Sequence, residues 1–349
     1  MATGVHIALI GLGRMGQIYA KTLAATEAAH LVAVATTDIA MQAAFLKDFD
    51  VPYVFEVARD AFALDAVEAV IIATPTNTHV ELVVEAAAAG KAIFCEKPLA
   101  LSLADTRRIL QAVEEAGVLL QVGFMRRFDP AYVQVKEAIG AGKIGRPVTF
   151  KSVGRDPFCP PAAFADPATS GGLIIDMGIH DMDLARWLMG VEVERVSAEG
   201  TVMVCDDLEA AGDFDNAVVN LRFTNGALGN VEISRNAFYG YDIRTEVLGS
   251  KAAVHVGALE PVSRWLLSPN GREEVSGAYL TKRFGAAYDA QIRDFVACVR
   301  EGRAPLCTGE DALAAFEISL AATYSAEIGE PVRLDTVRSG WTPGTIQPS

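Results

Sequence analysis

Three side chains in this sequence could together move protons, namely Lys97, Asp176 and His180. A lysine cation can stabilise an alkoxide whose charge develops only in the transition state. An imidazole titrates near neutral pH, so His180 suits a general base. Asp176 precedes it by four residues, a spacing that shares one helix face, and its carboxylate could fix the imidazole tautomer. Beside a dinucleotide, such a set would serve hydride transfer from a hydroxylated small molecule.

Spacing alone leaves other interpretations of these residues open. Asp176 and His180 also fit a pair on a helix surface, or a core histidine bonded to a carboxylate. We predict no metal site, because no third soft ligand lies near them. A lysine in a loop is most often solvated, but Lys97 follows a predicted strand and precedes Pro98, which restricts its backbone.

A glycine pattern near the amino terminus predicts a nucleotide site. The segment 11–16 follows a buried strand pattern at 5–10 and opens a predicted helix, the context in which G-x-G-x-x-G has meaning. Gly11 would permit the tight turn, Gly13 the approach of a pyrophosphate, and Gly16 close packing of helix on strand. The helix amino end would supply N–H donors to the phosphates. We predict cofactor contacts from Gly11, Gly13, Arg14, Met15 and Gly16.

An acidic residue at the end of the second predicted strand indicates which cofactor binds. Asp38 lies about 20 residues beyond the glycines, where a carboxylate can accept both ribose hydroxyls and repel a 2′-phosphate. This favours NAD over NADP. A solvated loop aspartate is the alternative, since Thr36 and Thr37 separate Asp38 from the strand.

Strands alternate with helices through the first third of the chain. This order predicts a parallel sheet in a Rossmann domain spanning 1–125, and ligands bind outside the carboxyl ends of such strands. Three segments project there: 74–79, 96–98 and 123–127. The further cofactor contacts predicted from them are Thr74, Pro75, Asn77, His79, Glu96 and Lys97.

After residue 125 the pattern changes to strands without intervening helices. It predicts an α+β domain over 126–349 with a mainly antiparallel open sheet. The turn 224–226 contains Asn-Gly and favours a hairpin. One helix is expected from Ser170 to Gly190, carrying both Asp176 and His180. Gly178 inside that helix would mark a close approach to ligand.

The composition of the chain limits the classes of molecule that the protein is expected to bind. A net charge of −14 argues against nucleic acid and favours a neutral substrate. No apolar run approaches the roughly 20 residues that cross a bilayer. The amino terminus begins directly with a strand pattern, so we expect a cytoplasmic protein. The five cysteines show no metal spacing and are odd in number, which predicts reduced thiols.

Several motifs together resemble the glucose–fructose oxidoreductase/inositol dehydrogenase (Gfo/Idh/MocA) family nearly end to end. They are Glu96-Lys97-Pro98, the Asp176 to His180 spacing, and the segments 122–129, 239–242 and 283–289. The last three resemble the inositol 2-dehydrogenases of that family in particular.

The resemblance implies a role for each site residue. His180 would take the hydroxyl proton, Lys97 would hold the reacting oxygen, and Asp176 would orient His180 and bind a neighbouring hydroxyl. Arg127, Asp156 and Tyr239 match positions that contact the polyol, whereas Glu96 and Asn77 would lie near the nicotinamide ribose. Family members are commonly tetramers packed through the open sheet, so we expect a homotetramer.

The leading hypothesis is NAD-dependent oxidation of an inositol ring hydroxyl to a ketone, of the myo-inositol to 2-keto-myo-inositol type. A scyllo-inositol or pyranose sugar dehydrogenase is the rival within the same family. A nucleotide-sensing protein without turnover is the alternative from another class. A sensor would have no need of the proton-handling set formed by Lys97, Asp176 and His180.

Overall fold

The computed structural model describes residues 4–161, 165–257 and 279–340. The chain divides into two compact units, the first comprising 1–128 with 286–313 and the second 129–285 with 314–349. The sequence-based boundary at 125/126 places all later residues in the second domain, whereas the structure groups 286–313 with the first unit. Side chains explain this grouping, because Thr22 donates to Asp289 at 2.7 Å and Gln121 donates to the backbone of Gln291 at 3.1 Å.

The first unit is a parallel sheet flanked by helices. Its sheet order, β3-β2-β1-β4-β5-β6, is that of a doubly wound dinucleotide-binding domain, as predicted. β4 and β5 are buried almost throughout, as expected for strands covered on both faces. The elements are β1 (Val5–Ile10), α1 (Arg14–Ala24), β2 (Ala29–Ala35), α2 (Ile39–Leu46), β3 (Tyr53–Phe55), α3 (Ala58–Phe62), β4 (Ala69–Ile72), α4 (His79–Ala88), β5 (Ala92–Cys95), α5 (Leu103–Ala116) and β6 (Leu120–Val122), with 3-10 turns at Thr76–Thr78 and Met125–Phe128.

The second unit is built on a mixed sheet in the order β12-β11-β7-β10-β9-β8-β13. Among its described strands β7 and β10 run parallel and the other neighbours antiparallel, which confirms the mainly antiparallel prediction. The elements are α6 (Pro130–Gly140), β7 (Pro147–Arg155), α7 (Pro167–Ser170), α8 (Gly172–Asp176), α9 (Ile179–Met189), β8 (Val193–Thr201), α10 (Asp207–Ala211), β9 (Asn216–Phe223), β10 (Leu228–Ser234), β11 (Asp242–Gly249), β12 (Ala253–Val256), β13 (Val332–Arg333) and α13 (Leu334–Arg338). Two long helices, α11 (Tyr279–Glu301) and α12 (Gly309–Ile328), contribute residues to both units.

The second sheet has one buried and one exposed face. Along β9 the residues alternate strictly, with Val219 and Leu221 buried and Val218 and Asn220 exposed. This period of two is the mark of a strand covered on one side only. The predicted hairpin joins β9 to β10, and Gly226 adopts the positive φ of +89° that the turn needs.

Polar side chains attach helix α9 to the buried face of this sheet. Ser152 on β7 donates a hydrogen bond to the buried carboxylate of Asp181, and the Oγ atoms of Ser152 and Thr245 lie 3.2 Å apart. The hydroxyl of Tyr132 lies 2.7 Å from Thr245 Oγ1. Buried polar groups that satisfy one another fix a single packing arrangement, so the helix that carries His180 is held in register with the sheet.

Two cysteines depart from the expectation of reduced thiols. Cys159 and Cys205 form a disulfide between the loops that follow β7 and β8, whereas Cys95, Cys298 and Cys307 are buried thiols outside any disulfide. The bridged residues are 46 positions apart, a separation that carries no pairing signal in the sequence. The prediction of five reduced thiols was therefore wrong for this pair.

Within the described residues, no helix is both long enough and apolar enough to cross a membrane.

Candidate active site

The glycine loop after β1 has the geometry of a phosphate cradle. Gly11 has a φ of +92°, and a Cβ on Gly16 would lie 2.0 Å from the carbonyl oxygen of Gly11. Gly11 therefore makes the turn and Gly16 lets α1 pack against it. A Cβ on Gly13 would meet nothing within 4 Å, so this glycine borders open space at the start of α1. The amides at that helix end have no side-chain cap, and these features fit a dinucleotide pyrophosphate.

Arg14, Met15 and Asp38 border the same edge of the sheet. Arg14 is exposed and Met15 half-buried in the first turn of α1. Asp38 is exposed between β2 and α2, and the Gly11 amide donates to Ala35 at 2.8 Å, which ties the glycine loop to the end of β2. This arrangement suits an acid that receives the adenosine ribose.

The segment after β4 is fixed by internal hydrogen bonds. The hydroxyls of Thr74 and Thr78 lie 2.7 Å apart, while Pro75 and Asn77 are exposed on the 3-10 turn. His79 is buried instead. Its ring nitrogens lie 2.9 Å from the Pro98 carbonyl and 3.0 Å from the Thr74 carbonyl.

His79 therefore supports both the segment after β4 and the lysine loop from inside the unit. Burial is the main reason that its pKa is lowered, which favours the neutral imidazole. The predicted cofactor contact of this residue stays a prediction, since its ring nitrogens face backbone carbonyls.

The backbone of Lys97 is anchored by the neighbouring glutamate. Lys97 is half-buried and joined to Pro98 by a cis peptide bond. Glu96 is buried, and its Oε2 accepts the Lys97 amide at 3.1 Å. Burial raises the pKa of Glu96, while Tyr19 and Lys97 act in the opposite direction.

Two residues missed by sequence reasoning complete this anchor. The Tyr19 hydroxyl donates to Glu96 Oε1 and accepts from Gln291 Nε2 at 3.0 Å. All three side chains are buried. Tyr19 could have been noticed as a polar group on the packed side of α1, but Gln291 offered no sequence signal.

Arg127, predicted to contact the substrate, is paired inside the first unit. Its guanidinium is 4% exposed, lies 3.0 Å from Asp311 Oδ1, and donates at 3.0 Å to both Asp311 Oδ2 and the Leu306 carbonyl. Asp311 is therefore an ion-pair partner of Arg127, and the sequence did not indicate it.

The helix predicted from Ser170 to Gly190 is broken in the structure. α8 ends at Asp176 and α9 begins at Ile179, so a turn at 177–178 separates Asp176 from His180. The predicted end at Gly190 is present, with a φ of +64°. The cap residue of α8 is Gly171, one position after the predicted Ser170, which is the last residue of α7 and whose Oγ accepts the Gly172 amide at 3.0 Å.

Gly178 lies in this break and is closely packed. A Cβ on Gly178 would lie 2.5 Å from both the Ile174 carbonyl oxygen and Ile233 Cδ1 on β10. The close approach seen at this glycine is to the sheet, and the expected approach to a ligand stays a prediction. His180 is half-buried in the first turn of α9.

Asp176 is held by an arginine that sequence reasoning overlooked. Arg235 Nη2 donates to Asp176 Oδ2 at 3.3 Å, and Arg235 Nη1 donates to Asp213 Oδ2 at 2.6 Å. Asp213 also accepts the Leu173 amide at 2.8 Å. The candidate catalytic carboxylate thus belongs to a buried cluster of one cation and two acids.

The predicted substrate residues Asp156 and Tyr239 lie on loops beside β7 and β11. The backbone of Asp156 pairs with Ser234 and Ala237 at 2.8 and 2.9 Å. The Tyr239 hydroxyl donates to Asp242 at 2.7 Å and accepts from Arg155 at 2.8 Å. Burial and then the bond to Asp242 raise the pKa of Tyr239, so this phenol stays protonated at neutral pH.

The glycine cradle and the sheet order define a dinucleotide-binding fold, and the second unit carries the candidate acid–base residues Asp176 and His180. The profile described as "Oxidoreductase family, NAD-binding Rossmann fold" matches residues 5–124. A second profile, "Oxidoreductase family, C-terminal alpha/beta domain", matches residues 136–334. The chain belongs to the Gfo/Idh/MocA oxidoreductase family. The expected NAD-binding domain is confirmed.

Characterised relatives match this chain over nearly its full length. It is 41% identical to the scyllo-inositol 2-dehydrogenase (NAD(+)) of Bacillus subtilis (strain 168), covering 96% of this chain and 98% of the relative. It is 38% identical to the myo-inositol 2-dehydrogenase of Thermotoga maritima, covering 95% and 99%. The scyllo-inositol dehydrogenase of Lactobacillus casei, solved with bound NAD(H) and scyllo-inositol, aligns with a TM-score of 0.86 at 29% identity, covering 95% and 100%.

Proposed function

We propose that this protein oxidises one ring hydroxyl of an inositol to the ketone with NAD as cofactor. The observation that carries the proposal is the 41% identity over 96% of the chain to an NAD-dependent scyllo-inositol 2-dehydrogenase. myo-Inositol and scyllo-inositol differ only in the orientation of one hydroxyl. Oxidation of either cyclitol at that carbon therefore gives the same ketone.

His180 accepts the proton of the reacting hydroxyl in this proposal. A neutral imidazole can do so near physiological pH, and the resulting imidazolium is stabilised by the carboxylate of Asp176. Asp176 also binds an adjacent ring hydroxyl. Arg155 holds Tyr239 at 2.8 Å, which supports a fixed phenol beside the substrate, with Asp156 and Arg127 as further contacts.

Lys97 donates a hydrogen bond to the oxygen that loses its proton. A cation placed there stabilises negative charge that appears only as the reaction proceeds. The hydrogen bond from the Lys97 amide to the buried Glu96 keeps this backbone fixed. NAD, when bound, supplies the acceptor for the hydride that leaves the same carbon. Gly11, Gly13 and Gly16 would hold its pyrophosphate, and Asn77 and Glu96 would border its nicotinamide ribose.

The test is NADH formation with a panel of purified polyols. Wild-type protein and NAD should give NADH with myo-inositol, scyllo-inositol or both, and the ketone should form in equal amount. Glucose and galactose test the pyranose alternative under the same conditions. NAD binding without turnover of any polyol at alkaline pH would contradict the proposal and favour a nucleotide sensor.

We also propose that the protein forms a homotetramer through the exposed face of the second sheet. We further propose that it works in the cytoplasm, where NAD is supplied. Leu228 and Leu248 on this face are 51% and 43% exposed, and both lie in register with Thr149. Apolar residues grouped on an open sheet favour association. Light scattering should give four times the chain mass, and Leu228→Lys should reduce it. A monomeric wild type would contradict this assembly, and cell fractionation tests the location.

A further inference from the structure

Helix α8, which ends at the candidate catalytic Asp176, is held at both ends by one buried ion pair. At its amino end the Leu173 amide donates to Asp213 Oδ1 at 2.8 Å. At its carboxyl end Arg235 donates to Asp176 Oδ2 at 3.3 Å. Arg235 and Asp213 are joined at 2.6 Å, so a single bridge spans the five-residue helix.

Burying this ion pair costs free energy, because both charges lose their contact with water. The side chain of Arg235 is only 2% exposed and that of Asp213 4%. Desolvating two charges commonly costs as much as their attraction returns. The backbone is shaped around the pair as well, because Gly172 has a φ of +76° and a Cβ there would lie 2.7 Å from Asp213 Oδ1. Such a pair contributes a defined geometry more than it contributes stability.

The cluster contains one positive group, Arg235, and two negative groups, Asp213 and Asp176. The two carboxylates do not interact equally with the cation. Asp213 makes the shorter contact and is more deeply buried. Asp176 makes the longer contact and its side chain is 21% exposed. Coulomb attraction rises as distance falls and as solvent is excluded. Arg235 therefore interacts more strongly with Asp213 than with Asp176.

We infer that Arg235 and Asp213 are positioning residues, which set the orientation of Asp176 and the electrostatic field around it for the oxidation. Arg235 fixes one carboxylate oxygen and so directs the other. Asp213 neutralises Arg235, so that this cation does not offset the attraction of Asp176 for an imidazolium at His180. The inference rests on the proposed function, since it assigns both residues to the reaction through Asp176.

A double-mutant cycle separates this role from a merely structural one. Asp213→Asn directs the whole charge of Arg235 onto Asp176, and kcat for the cyclitol should fall about tenfold or more. Adding Arg235→Gln removes that cation, so Asp213→Asn should cost little once Arg235 is gone, and the double variant should have a kcat near that of Arg235→Gln alone. If both residues only supported the fold, the two losses would multiply. A double variant slower than Arg235→Gln by the full Asp213→Asn factor would therefore overturn the inference.

A second cycle tests whether Arg235 acts through Asp176. Arg235→Gln should lower kcat about 10- to 100-fold, yet it should cost little more when Asp176→Asn is already present. Equal losses in both backgrounds would contradict the inference. Arg186→Gln is the matched control, because Arg186 lies on α9 with His180 and pairs with Glu192 in the loop after that helix; the kcat of this variant should stay near that of the wild type.

Two further measurements keep the outcome decisive. Thermal unfolding and NAD affinity of each variant show that it is folded and that the first unit is intact. If Arg235→Gln fails to fold, Arg235→Lys keeps the charge but loses the two-pronged geometry, and an unchanged kcat in this variant would overturn the inference. Failure of the proposed function is distinct, since wild-type protein would then bind NAD and turn over no cyclitol.

Discussion

The hydroxyl of Tyr19 donates a hydrogen bond to the buried carboxylate of Glu96, 77 residues further along the chain. Tyr19 lies on α1, the helix that opens at the glycine cradle, and Glu96 immediately precedes Lys97. The bond therefore ties the phosphate-binding helix to the lysine loop. It also lies in the interior of the first unit, where an unmatched carboxylate would be costly.

Replacing Tyr19 with phenylalanine tests this connection. The variant keeps the ring but removes a donor from a buried acid, so the free energy of unfolding should fall by about 1–3 kcal/mol. The pKa of Glu96, already raised by burial, should rise further, because the bond from Tyr19 favours its ionised form. Denaturant unfolding measures the loss. Tyr53→Phe is the control, since Tyr53 is largely exposed; equal stability of Tyr19→Phe and wild type would contradict the account.

Asp38 should control the choice between NAD and NADP. Asp38→Ser removes the charge that would repel a 2′-phosphate, so NAD should bind more weakly and NADP relatively better. The ratio of kcat/KM for the two cofactors measures the change. Asp48→Ser, in the helix-to-strand loop before β3, is a suitable control. An unchanged ratio in Asp38→Ser would show that this residue is an ordinary loop aspartate.

Asp215 should contribute stability that disappears in acid. Burial opposes its ionisation, but amide hydrogen bonds from Cys205, Met203 and Val204, with one from Asn216, lower its pKa below the ordinary value. A carboxyl with a lowered pKa in the folded state stabilises the protein above its ordinary pKa. That contribution is lost as the pH falls through the folded-state pKa.

The measurement is the free energy of unfolding of wild type and Asp215→Asn as a function of pH. The wild type should be more stable at pH 7, and the difference should shrink below about pH 4. Asp207 is exposed on α10, so the stability difference between the control variant Asp207→Asn and the wild type should not change in this way with pH. A constant difference between Asp215→Asn and wild type across this range would contradict the assignment.

Local signals in the sequence predicted much of the fold. Helix α5 begins after Ser102, whose Oγ accepts the Asp105 amide at 3.0 Å, and ends at Gly117 with a φ of +64°. Caps of this kind depend on neighbouring residues only, as does the glycine loop. The same reasoning missed the break at 177–178, where Gly178 packs against Ile233, a sheet residue that lies far away in sequence.

The candidate site shows the same division. The motif residues Lys97, Asp176 and His180 could be chosen from sequence because each lies in a short pattern. Their partners could not, since Asp176 depends on Arg235, 59 residues away, and the bridge from Tyr19 to Gln291 spans 272 residues. Long-range pairs of buried polar groups are set by tertiary packing, which a single sequence does not reveal. The disulfide of Cys159 and Cys205 was missed for the same reason.

The most direct test of the account is the rate of NADH formation from the preferred inositol in His180→Ala and Lys97→Ala. Loss of a positioned acid–base group lowers rates by about 10²–10⁴-fold. We expect losses of this size in both variants, with NAD affinity near that of the wild type in His180→Ala. His255 has an exposed side chain on β12, so the control variant His255→Ala should retain full activity. Turnover close to wild type in either His180→Ala or Lys97→Ala would contradict the account.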